Sequence, residues 1–487
     1  MATQDDQRAI LDLMSQMGSA GRAEGESTDC FPRTFWPVAE HLRAYDPDVV
    51  LVAGPRGAGK TELFRAVIGQ GLLGKVAPRV SSVRLPPLRD TRWLSGYSSQ
   101  GTGFPSEPQL RAFLQGQTRS DELFLDLWLA YLIRTLKDDL PSDALTALLS
   151  PQGGDVAQVL AAYRENVTPA LLALDALDAR LAEEKRFVFV GYDELDTLAR
   201  NDPEATQLIV RGLVALWAGH SRRWQRLRGK IFLRTDLYER ARTAGGADFA
   251  KLAANRVEIT WSDLNLLGML VRRLVNSGDA LCRYCTTKVE IEDSGELGLF
   301  PTIRKADDAR TLIERMVGVY MGAGIKKGLA FRWVLDHVRD GRGQALPRPL
   351  VRLLEAAADI QKQQNTHPRW PRILEPRALR RALDKVSEEH VGSALDEWPW
   401  LASLKDRLKS LREVPWERRE IDRHLDRSFG EPWGDGAVRP PADSGRDLVD
   451  YLVEVGVFRA RADGRIDAPD LFLAGLGLKR KGGVRRK

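Results

Sequence analysis

The chain has 487 residues, 43% hydrophobic and 29% charged, with a formal net charge of +6 and only three cysteines. That length predicts about three domains with real cores, and the composition excludes a disulfide framework and, with no run of 18 or more uncharged apolar residues, a membrane-spanning helix. The excess charge is local: Lys479 to Lys487 hold six cations and no acid, so the rest of the chain is neutral. An opening with Asp5 and Asp6, and no charged-then-apolar export signal, predicts a cytoplasmic protein with no membrane partner.

In chain order, residues 1–31 start with one short helix and pass into Gly, Ser, Glu and Thr, which predicts a flexible leader. Val49 to Ala53 is an uninterrupted apolar run, as expected of a strand buried on both faces. Gly54-Pro55-Arg56-Gly57-Ala58-Gly59-Lys60-Thr61 follows and fills every constrained position of the phosphate loop G-x-x-x-x-G-K-[ST]. Glycines let backbone N–H groups close on a phosphate, Lys60 bridges the β- and γ-phosphates, and the Thr61 hydroxyl holds Mg²⁺. Glu62 opens a helix in which Leu63, Phe64, Val67 and Ile68 keep helical spacing.

Residues 106–185 are too long for a simple connection and read as a helical insertion. Phe187 to Tyr192 is a second apolar strand ending in Asp193 and Glu194. Asp193 is the expected Mg²⁺ ligand and Glu194 the base that orients water; the alternative is that Asp193, Glu194 and Asp196 are acids welcomed by the following helix N-terminus. A third strand, Lys230 to Asp236, carries Arg234 and Thr235 at its polar end, where strand-end groups contact ligand in an open parallel sheet. Arg256 to Trp261 reads as one more strand, and Ser262 caps a helix with Leu264, Leu267, Leu270, Val271 and Leu274 on one face.

Residues 266–395 are then a helical lid region and 396–440 a helical linker containing Trp398, Trp400, Trp416 and Trp433, which pin a module to its neighbour or stack bases. In 441–478 a helix ending at Gly456 precedes candidate strands around Asp463-Gly464, a hairpin signal. Helix plus hairpin predicts a winged-helix-like module with Arg459, Arg461 and Arg465 on the wing. The basic tail, 479–487, could bind nucleic acid with a log–log salt slope of about −5, or stay solvated or meet an acidic partner. Cys282 and Cys285 have metal-knuckle spacing but no second pair, so they read as structural thiols, and no histidine is given a catalytic role.

The segments GPRGAGKTELFRA, FVFVGYDELD, KIFLRTDLYER, ITWSDLNLLGMLVRRL and LPRPLVRLLEAA resemble the additional-strand P-loop ATPases, the group of AAA+ and STAND proteins, and within it bacterial STAND-related ATPases. The resemblance implies an α/β parallel P-loop sheet with a core over 32–265 and the appended helical domains. It implies ATP and Mg²⁺ as ligands; Lys60, Thr61, Asp193 and Glu194 as nucleotide and catalytic residues; Arg234 or Thr235 as sensor; and Arg348 as a lid arginine. It further implies a nucleotide-gated switch in bacterial defence or stress signalling, with a separate protein effector, and admits a homo-oligomer. A DNA-binding AAA+ initiator or loader, gripping nucleic acid through 457–487, is the alternative; neutral charge across the core argues against an extended DNA channel. A degenerate loop is disfavoured because Lys60, Thr61, Asp193 and Glu194 are all present, and without a guanine-reading N-K-x-D motif ATP is preferred over GTP.

Overall fold

The computed structural model describes residues 4–17, 30–68, 71–77, 91–99, 101, 103–141, 145, 148, 155–199, 202–244, 249, 252, 255–364, 367–395, 398–430, 433 and 439–481. They form two compact units, one of Pro37–Thr260 and one joining Met1–Trp36 to Trp261–Lys487. Among the described residues no helix is long and apolar enough to cross a membrane.

Residues 1–31, expected as a flexible leader, instead open with a docked helix, α1 (Gln4–Gln16). Ile10, Leu11, Met14 and Met17 fall on one face and are buried in the core of their unit. The Gln7 side chain donates to the carbonyls of Pro368 (2.8 Å) and Arg372 (2.9 Å), and Lys362 pairs with Asp12 at 2.6 Å. One apolar stripe outweighs the polar composition of the segment as a whole.

In the Pro37–Thr260 unit, α2 (Ala39–Arg43) leads to β1 (Leu51–Gly54), and α3 (Lys60–Ile68) starts at the phosphate-loop lysine. β2 (Thr91–Tyr97) precedes four helices: α4 (Glu107–Leu114), α5 (Asp121–Thr135), α6 (Val156–Glu165) and α7 (Val167–Glu183). Then follow β3 (Phe187–Tyr192), α8 (Pro203–His220), β4 (Leu227–Arg234), α9 (Thr235–Ala244) and β5 (Arg256–Glu258). The strands pair in the order β2-β3-β4-β1-β5, all parallel. β4 therefore lies between the phosphate-loop strand and the acidic strand, and the carboxyl ends of β1, β3 and β4 share one edge.

Three physical details set this sheet. Asp178 of α7 accepts from the backbone N–H groups of Gln225, Arg226 and Leu227 at 2.7–2.9 Å, fixing where β4 begins. Gly229 lies under the Trp217 ring, whose Cδ2 would sit 2.2 Å from an added Cβ, and Gly191 leaves the space filled by Ile68 and Phe64 of α3. A buried side chain in either place would overpack the layer. Strand β4 is shorter at its end than expected, since Thr235 and Asp236 already belong to α9, and β5 stops at Glu258.

His41 of α2 is 1% exposed, and burial pushes its pKa down to about 3. The unfolded histidine titrates near 6.5, so its stabilising effect is complete above about pH 6.5 and is lost by about 1.4 kcal/mol per unit as pH falls toward the folded value. His41→Gln should flatten this pH dependence, read by urea unfolding at about pH 7.5 and pH 5; an unchanged slope would place the titration elsewhere.

The other unit continues with α10 (Asp263–Asn276), capped by Ser262, whose side chain accepts from Asn265 N–H at 3.2 Å, and α11 (Asp279–Thr286). A hairpin, β6 (Ile291–Asp293) with β7 (Leu299–Pro301), precedes α12 (Ala306–Val317), α13 (Ala330–Asp336), α14 (Pro347–Lys362) and α15 (Pro376–Leu395). α14 and α15 pack on each other, and α1 lies against α14.

The winged-helix elements begin ahead of residue 441. α16 (Trp400–Arg407), β8 (Glu413–Val414), α17 (Arg418–Asp426), α18 (Gly445–Glu454), β9 (Arg459–Ala460) and β10 (Ile466–Asp467) come in that order. β9 and β10 form the expected antiparallel wing, and Trp416 and Ile466 exchange backbone bonds of 2.8 and 2.9 Å, so the chain after β8 adds a third strand to it. After α19 (Asp470–Leu473), β11 (Lys479–Arg480) pairs in parallel with β8. The first cations of the basic tail are thus structural: Lys479 pairs with Glu413 at 3.1 Å, and Arg480 with Asp467 and Asp470. Residues 482–487 of the tail lie outside the described residues. Trp398, Trp400, Trp416 and Trp433 are all buried, so they pack the module and offer no faces to bases.

Candidate nucleotide site

The site is built at the sheet edge where β1 and β3 end. Gly57 and Gly59 have φ of 83° and 94°, a region closed to most side chains, so the loop can turn tightly before α3 begins. Lys60 is buried and its Nζ donates to the carbonyls of Gly54 (2.9 Å) and Pro55 (3.1 Å). Burial pushes its pKa down to about 8, while Asp193 opposes the shift. Arg56 is exposed at the loop tip and Glu62 sits half-buried in the first turn of α3.

Asp193, one residue beyond β3, is 2% exposed. Burial drives its pKa up to about 7, against a hydrogen bond from the Thr61 hydroxyl and the pull of Lys60. Its Oδ2 has no hydrogen-bond partner. A buried carboxylate oxygen left in this way is costly unless something occupies it. A hydroxyl and a carboxylate side by side, next to a phosphate loop, are the hard oxygen donors that suit Mg²⁺ bound through one or two protein ligands and phosphates.

Glu194 is held in the left-handed region at φ 56°, ψ 33°, a conformation that costs about 1–2 kcal/mol for a residue with a Cβ. The strain is held by its neighbours, with Asp193 N–H on the Tyr97 carbonyl at 3.0 Å and Thr197 N–H on the Glu194 carbonyl at 2.9 Å. Its Oε2 accepts from the backbone N–H of Ser99 at 3.0 Å and from the Ser99 hydroxyl. Ser99 follows β2, and no motif in the sequence marks it; only the pairing of β2 with β3 brings it to Glu194.

Arg234, at the end of β4 opposite Gly54, is clasped by two acids: Asp236 at 2.8 and 3.1 Å and Asp196 at 3.0 Å. It is positioned by these carboxylates, and Asp196 and Asp236 are two further site-edge residues absent from the expected set. The Thr235 Oγ1 is buried with no hydrogen-bond partner, so of the two sensor candidates it is the one with a hydroxyl still to satisfy. Arg348 lies in the first turn of α14 and belongs to the other compact unit. Cys285 is buried, Cys282 half-buried, and among the described residues no group of three or more His, Cys, Asp or Glu side chains could hold a metal.

No family model matches the chain, and no curated protein matches it. Two solved structures of the ORC2 protein of Aeropyrum pernix align with it: the ADPNP–ADP complexes at 14% identity over 93% of this chain and 99% of that one, and the ADP form at 13% over 92% and 94%. Both have a TM-score of 0.31, and likeness of that degree leaves the matter to the residues themselves. A parallel sheet of order β2-β3-β4-β1-β5, a phosphate loop after β1 and an acidic pair after β3 define an α/β P-loop fold of the additional-strand type. It is followed by a helical unit that ends in winged-helix elements.

Proposed function

We propose that this chain binds ATP with Mg²⁺ and hydrolyses it, and that the nucleotide state gates contacts of the helical, winged-helix unit with DNA. The orphaned Asp193 Oδ2 beside Thr61 and Lys60 carries the proposal, because it is a vacant hard-oxygen position at a phosphate-binding loop. Lys60 would exchange the Gly54 and Pro55 carbonyls for phosphate oxygens. Thr61 and Asp193 would hold Mg²⁺, which neutralises charge on the phosphates. Glu194, released from Ser99, would accept the proton of the attacking water, and the Thr235 hydroxyl would reach the γ-phosphate. Asp196 and Asp236 hold Arg234 at that edge.

The DNA-coupled reading is preferred to a defence-signalling switch because the helical unit that ends in the winged-helix elements also carries two touching stretches, 315–335 and 360–374, rich in cations and without an acid of their own. Steady-state turnover by the purified chain tests both levels. Turnover should require Mg²⁺, vanish in Lys60→Ala, rise by up to about tenfold in Ser99→Ala, which frees Glu194 of one charged hydrogen bond, and increase with duplex DNA at low salt. Turnover surviving Lys60→Ala would remove hydrolysis from this site. Indifference to DNA would direct the output to a protein partner.

A further inference from the structure

A winged helix is expected to present the second helix of its pair to the major groove. Here that helix is α18, whose exposed positions are Arg446, Asp447, Asp450 and Glu454, three acids against one cation. The wing arginines are also engaged: Arg459 and Arg461 lie 3.3 and 3.7 Å from Asp467, and Arg465 lies 2.6 Å from Asp463. α18 is net acidic, and in the wing three arginines facing Asp463 and Asp467 leave a single net positive charge, little for the phosphate contacts that binding requires.

Stretches with more positive charge lie elsewhere in the same unit. Residues 315–335 and 360–374 carry seven cations and no acid of their own; of these Lys362 pairs with Asp12 and Arg315 stacks on Tyr284 and Trp370. The two stretches touch: Ile373 N–H donates to the Met316 carbonyl at 2.8 Å and Arg372 lies against Gly318, while Arg380 of α15 donates to the Met321 carbonyl. Between α12 and α13 the chain forms a closed loop, with Ala330 N–H on the Val319 carbonyl (2.9 Å) and Met321 N–H on the Gly328 carbonyl (3.0 Å). Gly324 and Gly328 take φ of 84° and 82°, which fixes a short 3₁₀ turn at the tip. On that tip stands Ile325, 75% exposed, followed by the exposed Lys326 and Lys327. Neither lysine makes an ion pair among the described residues. Arg369, Trp370 and Arg372 are exposed beside the loop's base.

We infer that the 318–329 loop is a duplex-DNA contact, with Lys326, Lys327, Arg369 and Arg372 on the phosphates and Ile325 as a minor-groove wedge. A closed loop with an apolar side chain at its tip, next to two lysines, fits a wedge, which partly unstacks a base step while the flanking charges hold the backbone. Ile325, Val319 and Trp370 are the exposed large apolar side chains here, and on a short loop they do not form the broad amphipathic helical face that anchors on a lipid surface. The inference rests on the DNA reading above and names the surface responsible.

The test is fluorescence anisotropy of the full chain with a labelled duplex across a salt series. Lys326→Glu with Lys327→Glu should weaken binding by about tenfold or more at low salt and make the log–log slope shallower by about 2. Ile325→Ala should weaken binding with the slope unchanged. Arg459→Ala with Arg461→Ala on the wing should change neither. All these side chains are exposed, and equal melting temperatures verify the fold. If the wild-type chain binds no duplex, both the DNA reading and this inference fail. If it binds and the loop variants bind equally well, only the inference fails. Loop-dependent sedimentation with phosphatidylserine vesicles, without duplex binding, would replace it with a membrane contact.

Discussion

Replacing Glu194 by Gln is expected to lower ATP turnover by about 10²-fold or more, the range lost with a general base, while leaving ATP affinity close to that of the wild type. The amide keeps the size of the carboxylate and can still accept from the Ser99 N–H, so the left-handed backbone at φ 56° should persist. What disappears is the group able to take a proton from water. The readout is single-turnover hydrolysis set beside equilibrium ATP binding on the same protein. Loss of binding together with turnover would mean that Glu194 supports the loop. Unchanged turnover would mean that the base lies elsewhere.

Arg272→Met should be the most damaging substitution in the helical unit. Arg272 is 0% exposed, its guanidinium donates to the carbonyls of Pro32 (2.8 Å), Arg33 (3.0 Å) and Leu297 (2.9 Å), and it lies 3.2 Å from the centre of the Phe300 ring. It ties the segment before Trp36 and the turn between β6 and β7 to α10. Methionine fills much of the volume but leaves buried carbonyls unsatisfied, at a cost on the order of 3 kcal/mol. That should lower the melting temperature by about 6–12 °C for a unit of this size. Calorimetry of the full chain reads the effect; a shift of under about 2 °C would show that water or neighbouring donors replace the guanidinium.

How much of this was legible in the sequence depended on how far apart the interacting residues lie. The phosphate loop could be read from Gly54 to Thr61 because each position answers to the chemistry of one ligand group. The parallel P-loop fold followed from the apolar strands that end in it and in Asp193. The wing could be read because Asp463-Gly464 is a local turn signal. β2 could not, since a half-buried edge strand such as Thr91–Tyr97 has neither a continuous apolar run nor clean alternation. Ser99 was invisible for the same reason, as its contact with Glu194 exists only through strand pairing. The Arg234 clasp needs Asp196 from one strand end and Asp236 from another. α1 was legible as one short helix, yet the Gly- and Ser-containing residues after it pointed to a leader. β8, two residues long, lies below any periodic signal and is visible only through its partner Lys479–Arg480.

Lys60, Thr61 and Asp193 are proposed to form a Mg²⁺-dependent ATP site. Isothermal titration of the purified chain with ATP tests it most directly, performed with Mg²⁺, with excess chelator, and on Lys60→Ala. Saturable one-to-one binding is expected, weakening strongly when Mg²⁺ is removed and lost in the Lys60→Ala protein. Binding of equal strength in all three would contradict it and place the nucleotide, if it binds at all, away from this loop.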